Sequence, residues 1–359
     1  MNKQHTDQSQ VRLRGRGALS NPANRFAPTS TAVVADGWWQ DEVKTRLDTR
    51  VIDESVRTII STNRSPDIPF DQSINPYRGC EHGCIYCYAR PTHAYWDMSP
   101  GLDFETRIIA KRGAADLLRR AFDHKGYVVR PITLGANTDP YQPVEAELRI
   151  TRAILEVLRE YRHPFSLITK SALVVRDLDI LSEMAAMQLC SAAISVTTLD
   201  LEIKRRLEPR AASPAARLRA IEALSAAGVR VTLMAAPVIP AINDHELESI
   251  LAKGQQAGAT AANYILLRLP HEVAGMFRDW LAAHYPDRAR HVMSLVQQSR
   301  GGKDYAPAFG SRMRGEGVFA GMIQRRFDVA ARRLGLVPKA RVELRTDLFR
   351  RHNEQLALF

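Results

Sequence analysis

At 359 residues the chain is long enough for one large α/β domain with extensions or for two smaller domains, and its 45% apolar content supplies a substantial core. No run of about 18 uncharged apolar residues occurs and the first ten residues lack the apolar centre of a signal peptide, so a membrane span is not expected and a reducing cytoplasm is. The net charge of +11, from 50 basic against 39 acidic residues, permits a polyanionic partner without requiring one.

Residues 1 to about 50 mix Gln, Ser, Asn, Pro and basic residues, with Arg12, Arg14 and Arg16 close together, and carry no sustained apolar period. A largely flexible basic N-terminal arm is expected there. It could contact phosphates, or pack across the outside of the fold through Phe26, Trp38 and Trp39. Residues 51–69 form an approach segment, and a short strand over Gln72 to Asn75 delivers a loop holding three of the four cysteines, Cys80, Cys84 and Cys87. The stretch from Pro91 to Gly101 is aromatic and broken by prolines, as expected of a loop over the cysteines that keeps water away.

Beyond it, short β-branched runs alternate with helical periods. Strands are expected over Val128 to Gly135, Phe165 to Thr169, Ser191 to Val196, Val229 to Ala235 and Asn263 to Leu269. Between and after them come helices over Glu145 to Tyr161, from Leu178 with Asp177 as cap, from Pro214 with Ser213 as cap and Gly228 past its end, over Glu246 to Gln256, and over Val273 to Ala283. With the strand before the cysteines this makes about six βα units on a parallel sheet, too few for a closed eight-stranded barrel, with the chemistry at the carboxyl ends of the strands. From about Pro286 the strand rhythm lapses into a C-terminal extension over residues 286–359. It begins with loops around Arg300-Gly-Gly-Lys303 and continues as a helix from Val318 to Leu334. Phe319, Met322, Ile323, Phe327, Ala330 and Leu334 mark that helix's buried face, and Arg325, Arg326, Arg332 and Arg333 lie off it, as a solvated surface or a phosphate-binding patch.

The cysteine loop carries the chemistry. Three thiols within eight residues, in a chain without a secretory signal, read as metal ligands or redox groups. A structural zinc site needs four protein ligands, which here would have to recruit His82 or the distant Cys190, and a redox pair of Cys84 and Cys87 would leave Cys80 idle. Three thiolates suit a [4Fe-4S] cluster in which one iron lacks a protein ligand and can accept a small molecule. At the strand ends, Asn137, Thr138 and Asp139 are polar groups in a turn fixed by prolines, and Lys170 and Ser195 could meet a carboxylate or a ribose.

The pattern of Cys80, three residues, Cys84, then Tyr86 directly before Cys87, closely resembles the signature of the radical SAM superfamily. That resemblance implies a partial (βα)6 TIM barrel over residues 51–285, with Cys80, Cys84 and Cys87 holding a [4Fe-4S] cluster and S-adenosylmethionine (SAM) on its open iron. It further implies cleavage of SAM to methionine and a 5′-deoxyadenosyl radical, on electrons from a donor such as flavodoxin or ferredoxin, with Tyr86, Asn137, Thr138, Asp139, Lys170 and Ser195 as candidates around the cofactors. The usual glycine-glycine-glutamate motif for the SAM amino group is absent from the 135–143 turn. More narrowly, that turn, Thr169-Lys170-Ser171 and Arg300-Gly-Gly-Lys303 look like the spore photoproduct lyase-like group, which suggests a DNA-repair lyase as one alternative. Such a lyase uses a further cysteine as hydrogen donor, and Cys190 does not follow its arrangement. From a different class, a zinc-containing nucleic-acid-binding protein without catalysis also accommodates three cysteines and basic termini.

Overall fold

The computed structural model describes residues 15–26, 47–336 and 343–351. Its central sheet holds six parallel strands in the order in which the chain makes them: β1 (Gln72–Ile74), β2 (Ile132–Leu134), β3 (Phe165–Thr169), β4 (Cys190–Ser195), β5 (Arg230–Val238) and β6 (Ala261–Leu266). A two-residue antiparallel strand, Ser61–Thr62, borders β1, and among the described residues β6 pairs only with β5, so the sheet is an open α/β barrel. All six carboxyl ends lie on one rim, since every strand-to-strand step between them is parallel.

The crossover helices bury the faces that the apolar spacing marks. In Ile150–Glu160, Ile150, Ile154, Val157 and Leu158 are buried against the sheet, with Tyr161 just beyond the helix end. The single helix expected over Glu145 to Tyr161 is nevertheless two. Arg149 adopts a left-handed conformation at φ 51°, and the Glu145 carboxylate accepts from the Thr151 and Arg152 N–H groups 3.0 and 3.2 Å away, capping the second segment. Asp177 does not cap the helix Leu178–Ala186; its carboxylate pairs with Arg152 and Arg176. The ordered turn before it, Ala172–Asp177, is entered at Ser171, whose hydroxyl accepts from Leu173 N–H.

The β2 ladder is shorter than expected, three residues, with Val128 exposed outside it. A second sheet escaped the sequence pattern altogether: Arg107–Ala110 lies between Arg50–Asp53 and Tyr77–Arg78. So did the helix Ala114–Asp123 that follows it and the helix Ala289–Gln298. In the helix Gly317–Arg333, Ile323, Phe327 and Ala330 are buried as expected, whereas Met322 is 43% exposed, because one flank of the helix faces solvent. Arg326 is not free on that flank; it pairs with Glu248. Trp38 and Trp39, like Arg12 and Arg14, lie outside the described residues. Among the described residues no helix is long and apolar enough to cross a membrane.

Helix Pro214–Ala226, which packs on β4 and β5, starts as the sequence indicates, with the Ser213 hydroxyl accepting from Ala216 N–H at 3.2 Å. Ser213→Ala should cost about 1 kcal/mol. A chemical-denaturation midpoint indistinguishable from that of the unsubstituted protein would show that this cap carries no stability.

Candidate cysteine-loop site at the strand ends

The cysteine loop leaves the rim at Asn75, whose side-chain oxygen accepts from the Asn137 and Thr138 N–H groups and so ties the ends of β1 and β2 together. Gly79 and Gly83 turn the chain at φ 74° and 67°. Cys80 N–H donates to Phe104 O at 2.8 Å, Cys87 N–H to Cys84 O at 3.2 Å, and Gln142 grips the loop from the next strand end through Glu81 N–H and Gly79 O. Arg90 fixes the inner side, donating from Nε to Cys84 O and from Nη1 to Pro100 O and Gly101 O, with its remaining nitrogen on Glu105. The residues after Cys87 are a packed turn rather than an irregular cover: Arg90–Trp96 is a 3-10 helix with Arg90, His93 and Ala94 buried.

Part of the stretch expected to be a flexible arm closes over this loop. Gly17 and Ala18 donate their N–H groups to the two oxygens of Glu105, at 2.9 and 2.8 Å, and the Arg16 guanidinium donates to Glu105 O. A Cβ at Gly17 would stand 1.8 Å from Gly83 O, so only glycine allows this approach.

Cys80 and Cys84 are buried and Cys87 is half-buried. Burial pushes all three thiols up, and for Cys80 the neighbouring Asp139, Cys84 and Cys87 add to the rise, while Lys170 pulls Cys84 and Cys87 the other way. Such a set ionises only against strong positive charge, as metal ligation provides. Among the described residues no three His, Cys, Asp or Glu side chains converge as a single ion requires. One zinc ion would draw its sulfurs to within about 4 Å of each other, given Zn–S bonds near 2.3 Å. In a multi-iron cluster each thiolate meets a different iron of one compact cube. Three thiols on one loop match the donor set of a [4Fe-4S] cluster with one open iron.

The other rim residues fall into two groups. Tyr86 is buried, and its hydroxyl bonds Glu208 and Thr197. Glu208 is itself paired with Arg217, which donates to Ser195 O at 3.0 Å. Burial opposes ionisation of Glu208, but Arg217 and Lys170 hold it down to about 2. Thr138 donates its hydroxyl to Tyr77 O, and Asp139 accepts from Thr169 Oγ1, Lys170 N–H and Tyr141 N–H. These side chains brace strand ends. Asn137, Lys170 and Ser195 keep side-chain polar atoms without a hydrogen bond among the described residues, and Lys170 is close enough to Cys84, Cys87 and Glu208 to act on all three. Glu208 and Arg217 escaped sequence reasoning because a glutamate among basic residues at a helix end carries no motif. Cys190 begins β4 at the opposite end of the sheet, buried, with its thiol donating to Leu181 O at 3.2 Å.

A family model described as the Radical SAM superfamily matches residues 74–253. An uncharacterized protein of Mycobacterium bovis is 36% identical over 233 residues, covering 64% of this chain and 68% of that protein. One of Methanocaldococcus jannaschii is 27% identical over 173 residues, 48% of this chain and 62% of that protein. Among solved structures, spore photoproduct lyase complexed with dinucleoside spore photoproduct shares the fold, with a TM-score of 0.55, 13% identity and 80% of each chain covered.

Burial raises the Asp139 carboxyl, but His82, the Thr169 hydroxyl and Lys170 N–H outweigh it and hold the group down to about 2. Because that lies below the unfolded value of about 3.9, its stabilising effect is fully present above the unfolded value and is lost as pH falls through the folded one. Asp139→Asn should therefore be less stable than the unsubstituted protein near neutrality, with the gap closing between about pH 5 and pH 2. Urea denaturation across that range checks it; a gap independent of pH would contradict the ion-stabilised rim.

Proposed function

Because the chain belongs to the radical SAM superfamily, we propose that Cys80, Cys84 and Cys87 hold a [4Fe-4S] cluster and that the protein is an enzyme acting through SAM. Bound there, such a cluster would supply the electron for reductive cleavage of SAM to methionine and a 5′-deoxyadenosyl radical able to take hydrogen from a substrate. The observation that carries this reading is the placement of three thiols, two buried and one half-buried, on one loop at the carboxyl rim of an open parallel sheet.

The chain's own residues do the rest. Lys170 offers its ammonium to the SAM carboxylate, with the Ser195 hydroxyl and Asn137 carboxamide as further contacts. Tyr86, held by Glu208 and Thr197, keeps the loop in register with the fourth strand end and is a positioning residue. The 15–18 segment and the Arg90–Trp96 turn exclude water from the inner side of the loop. The electron comes from an external one-electron donor such as flavodoxin or ferredoxin. Repair of a DNA photoproduct with a protein thiol as hydrogen donor gains nothing from Cys190, which stands at the far end of its strand.

Anaerobic reconstitution should give about four irons and four sulfides per chain. Alanine at Cys80, Cys84 or Cys87 should abolish them, and Cys190→Ala should not. Stoichiometric zinc, or iron loss in Cys190→Ala equal to that in Cys84→Ala, would overturn the three-ligand assignment. Lys170→Ala should leave the iron content intact and weaken SAM binding by about tenfold or more, the loss expected for one charge-assisted hydrogen bond; equal affinities would remove Lys170 from the cofactor site.

A further inference from the structure

Two residues beyond β6, on the same rim, Arg268 stands in surroundings unlike those of three other arginines of the fold. Arg90, Arg217 and Arg312 each meet a carboxylate, on Glu105, Glu208 and Asp67. Among the described residues no carboxylate pairs with Arg268. Its Nη1 reaches the Met313 sulfur at 3.3 Å, a weak acceptor, its Nη2 reaches the Tyr305 hydroxyl at 3.3 Å, and its Nε is buried with no hydrogen-bond partner. A buried guanidinium nitrogen without an acceptor is costly unless something else supplies one.

A second cation deepens the deficit. Arg300 donates to the Leu266, Leu267, Ser311 and Arg312 carbonyls, and its own Nε is also buried without a partner. Burial and the nearby Arg268 lower Arg300 to about 10. Two guanidinium groups thus act on one another, and among the described residues neither is in an ion pair, although the Glu316 carboxylate acts on Arg300 at longer range. Flat rings flank Arg268: Tyr88, immediately after Cys87 and 43% exposed, has its centroid 5.2 Å from the guanidinium carbon, and Tyr305 lies at 5.8 Å. The Arg300-Gly-Gly-Lys303 segment has a structural role here, since Gly301 and Gly302, both at positive φ, carry the chain round from Arg300 towards Tyr305.

We propose that Arg268, walled by Tyr88 and Tyr305, is a receptor for an oxyanion, a phosphate or carboxylate, on a molecule that reacts beside the cysteine loop. The planar fork matches such a group in two parallel hydrogen bonds, and the rings hold the fork in place. The location beside the reaction rests on the radical SAM reading; the anion affinity does not. The oxyanion belongs either to the substrate or to the SAM carboxylate, and the two are separable.

The test is calorimetric titration of the anaerobically reconstituted full chain with inorganic phosphate, acetate and, separately, SAM, in the unsubstituted protein, Arg268→Gln, Arg268→Lys and Tyr305→Phe. Phosphate or acetate should bind the unsubstituted protein, about tenfold or more weakly after Arg268→Gln and with a smaller loss after Arg268→Lys. An unchanged SAM affinity in Arg268→Gln gives the site to the substrate; a parallel fall gives it to the cofactor carboxylate, and both support the receptor. Failure of both anions to bind the unsubstituted protein, or equal anion affinity in Arg268→Gln, overturns it. Should Arg268→Gln not fold, Tyr305→Phe and Arg268→Lys supply the same comparison. Iron and sulfide analysis of the same samples reports separately on whether the cluster reading holds.

Discussion

The cysteine loop depends on one fully buried ion pair, Arg90 with Glu105. Removing both charges from water is expensive, and the expense is offset only when the remaining donors and acceptors are filled. Here they are. Arg90 spends its other N–H groups on three carbonyls of the loop and the turn after it, and Glu105 receives two backbone N–H groups from residues 17 and 18. The pair therefore joins three segments distant in sequence, the N-terminal passage, the cysteine loop and the Leu102–Thr106 helix, around the thiols. Breaking such a pair at one end costs on the order of 3–5 kcal/mol, because the partner is left charged and buried.

A second buried pair, Glu208 with Arg217, plays the corresponding part on the other side of the loop. Through Tyr86 it anchors the residue before Cys87, and through Arg217 it reaches the carbonyl of Ser195 at the end of β4. Between the two pairs lies a rim whose bracing residues, Thr138, Asp139 and Thr197, are consumed by internal hydrogen bonds. Lys170, Ser195, Asn137 and Arg268 retain the capacity to meet a ligand. Division of labour of this kind is what a precise site needs: braces that do not move, and a few polar groups that face the reacting molecules.

The parallel sheet was legible because its strands are short β-branched runs separated by periodic helices, and Phe165–Thr169 agrees residue for residue. Membership of the radical SAM superfamily was legible in three cysteines and one tyrosine. What stayed hidden depends on contacts between distant residues. Nothing near Glu145 signals that its carboxylate reaches forward to cap a new helix, and nothing near Asp177 signals that Arg152, 25 positions back, joins the adjacent Arg176 in claiming it before the helix can. Residues 15–18 look polar and mobile in sequence because the carboxylate that orders them lies nearly ninety positions away. Glu208, Arg217 and Arg268 are invisible for the same reason, since a charge's meaning is set by what the fold brings to it.

The central claim is that the loop presents an open iron to SAM, and electron paramagnetic resonance of the reduced, reconstituted protein tests it most directly. The account predicts the signal of a reduced [4Fe-4S] cluster whose shape changes when SAM is added, and no such signal in Cys84→Ala. A cluster spectrum indifferent to saturating SAM would contradict it.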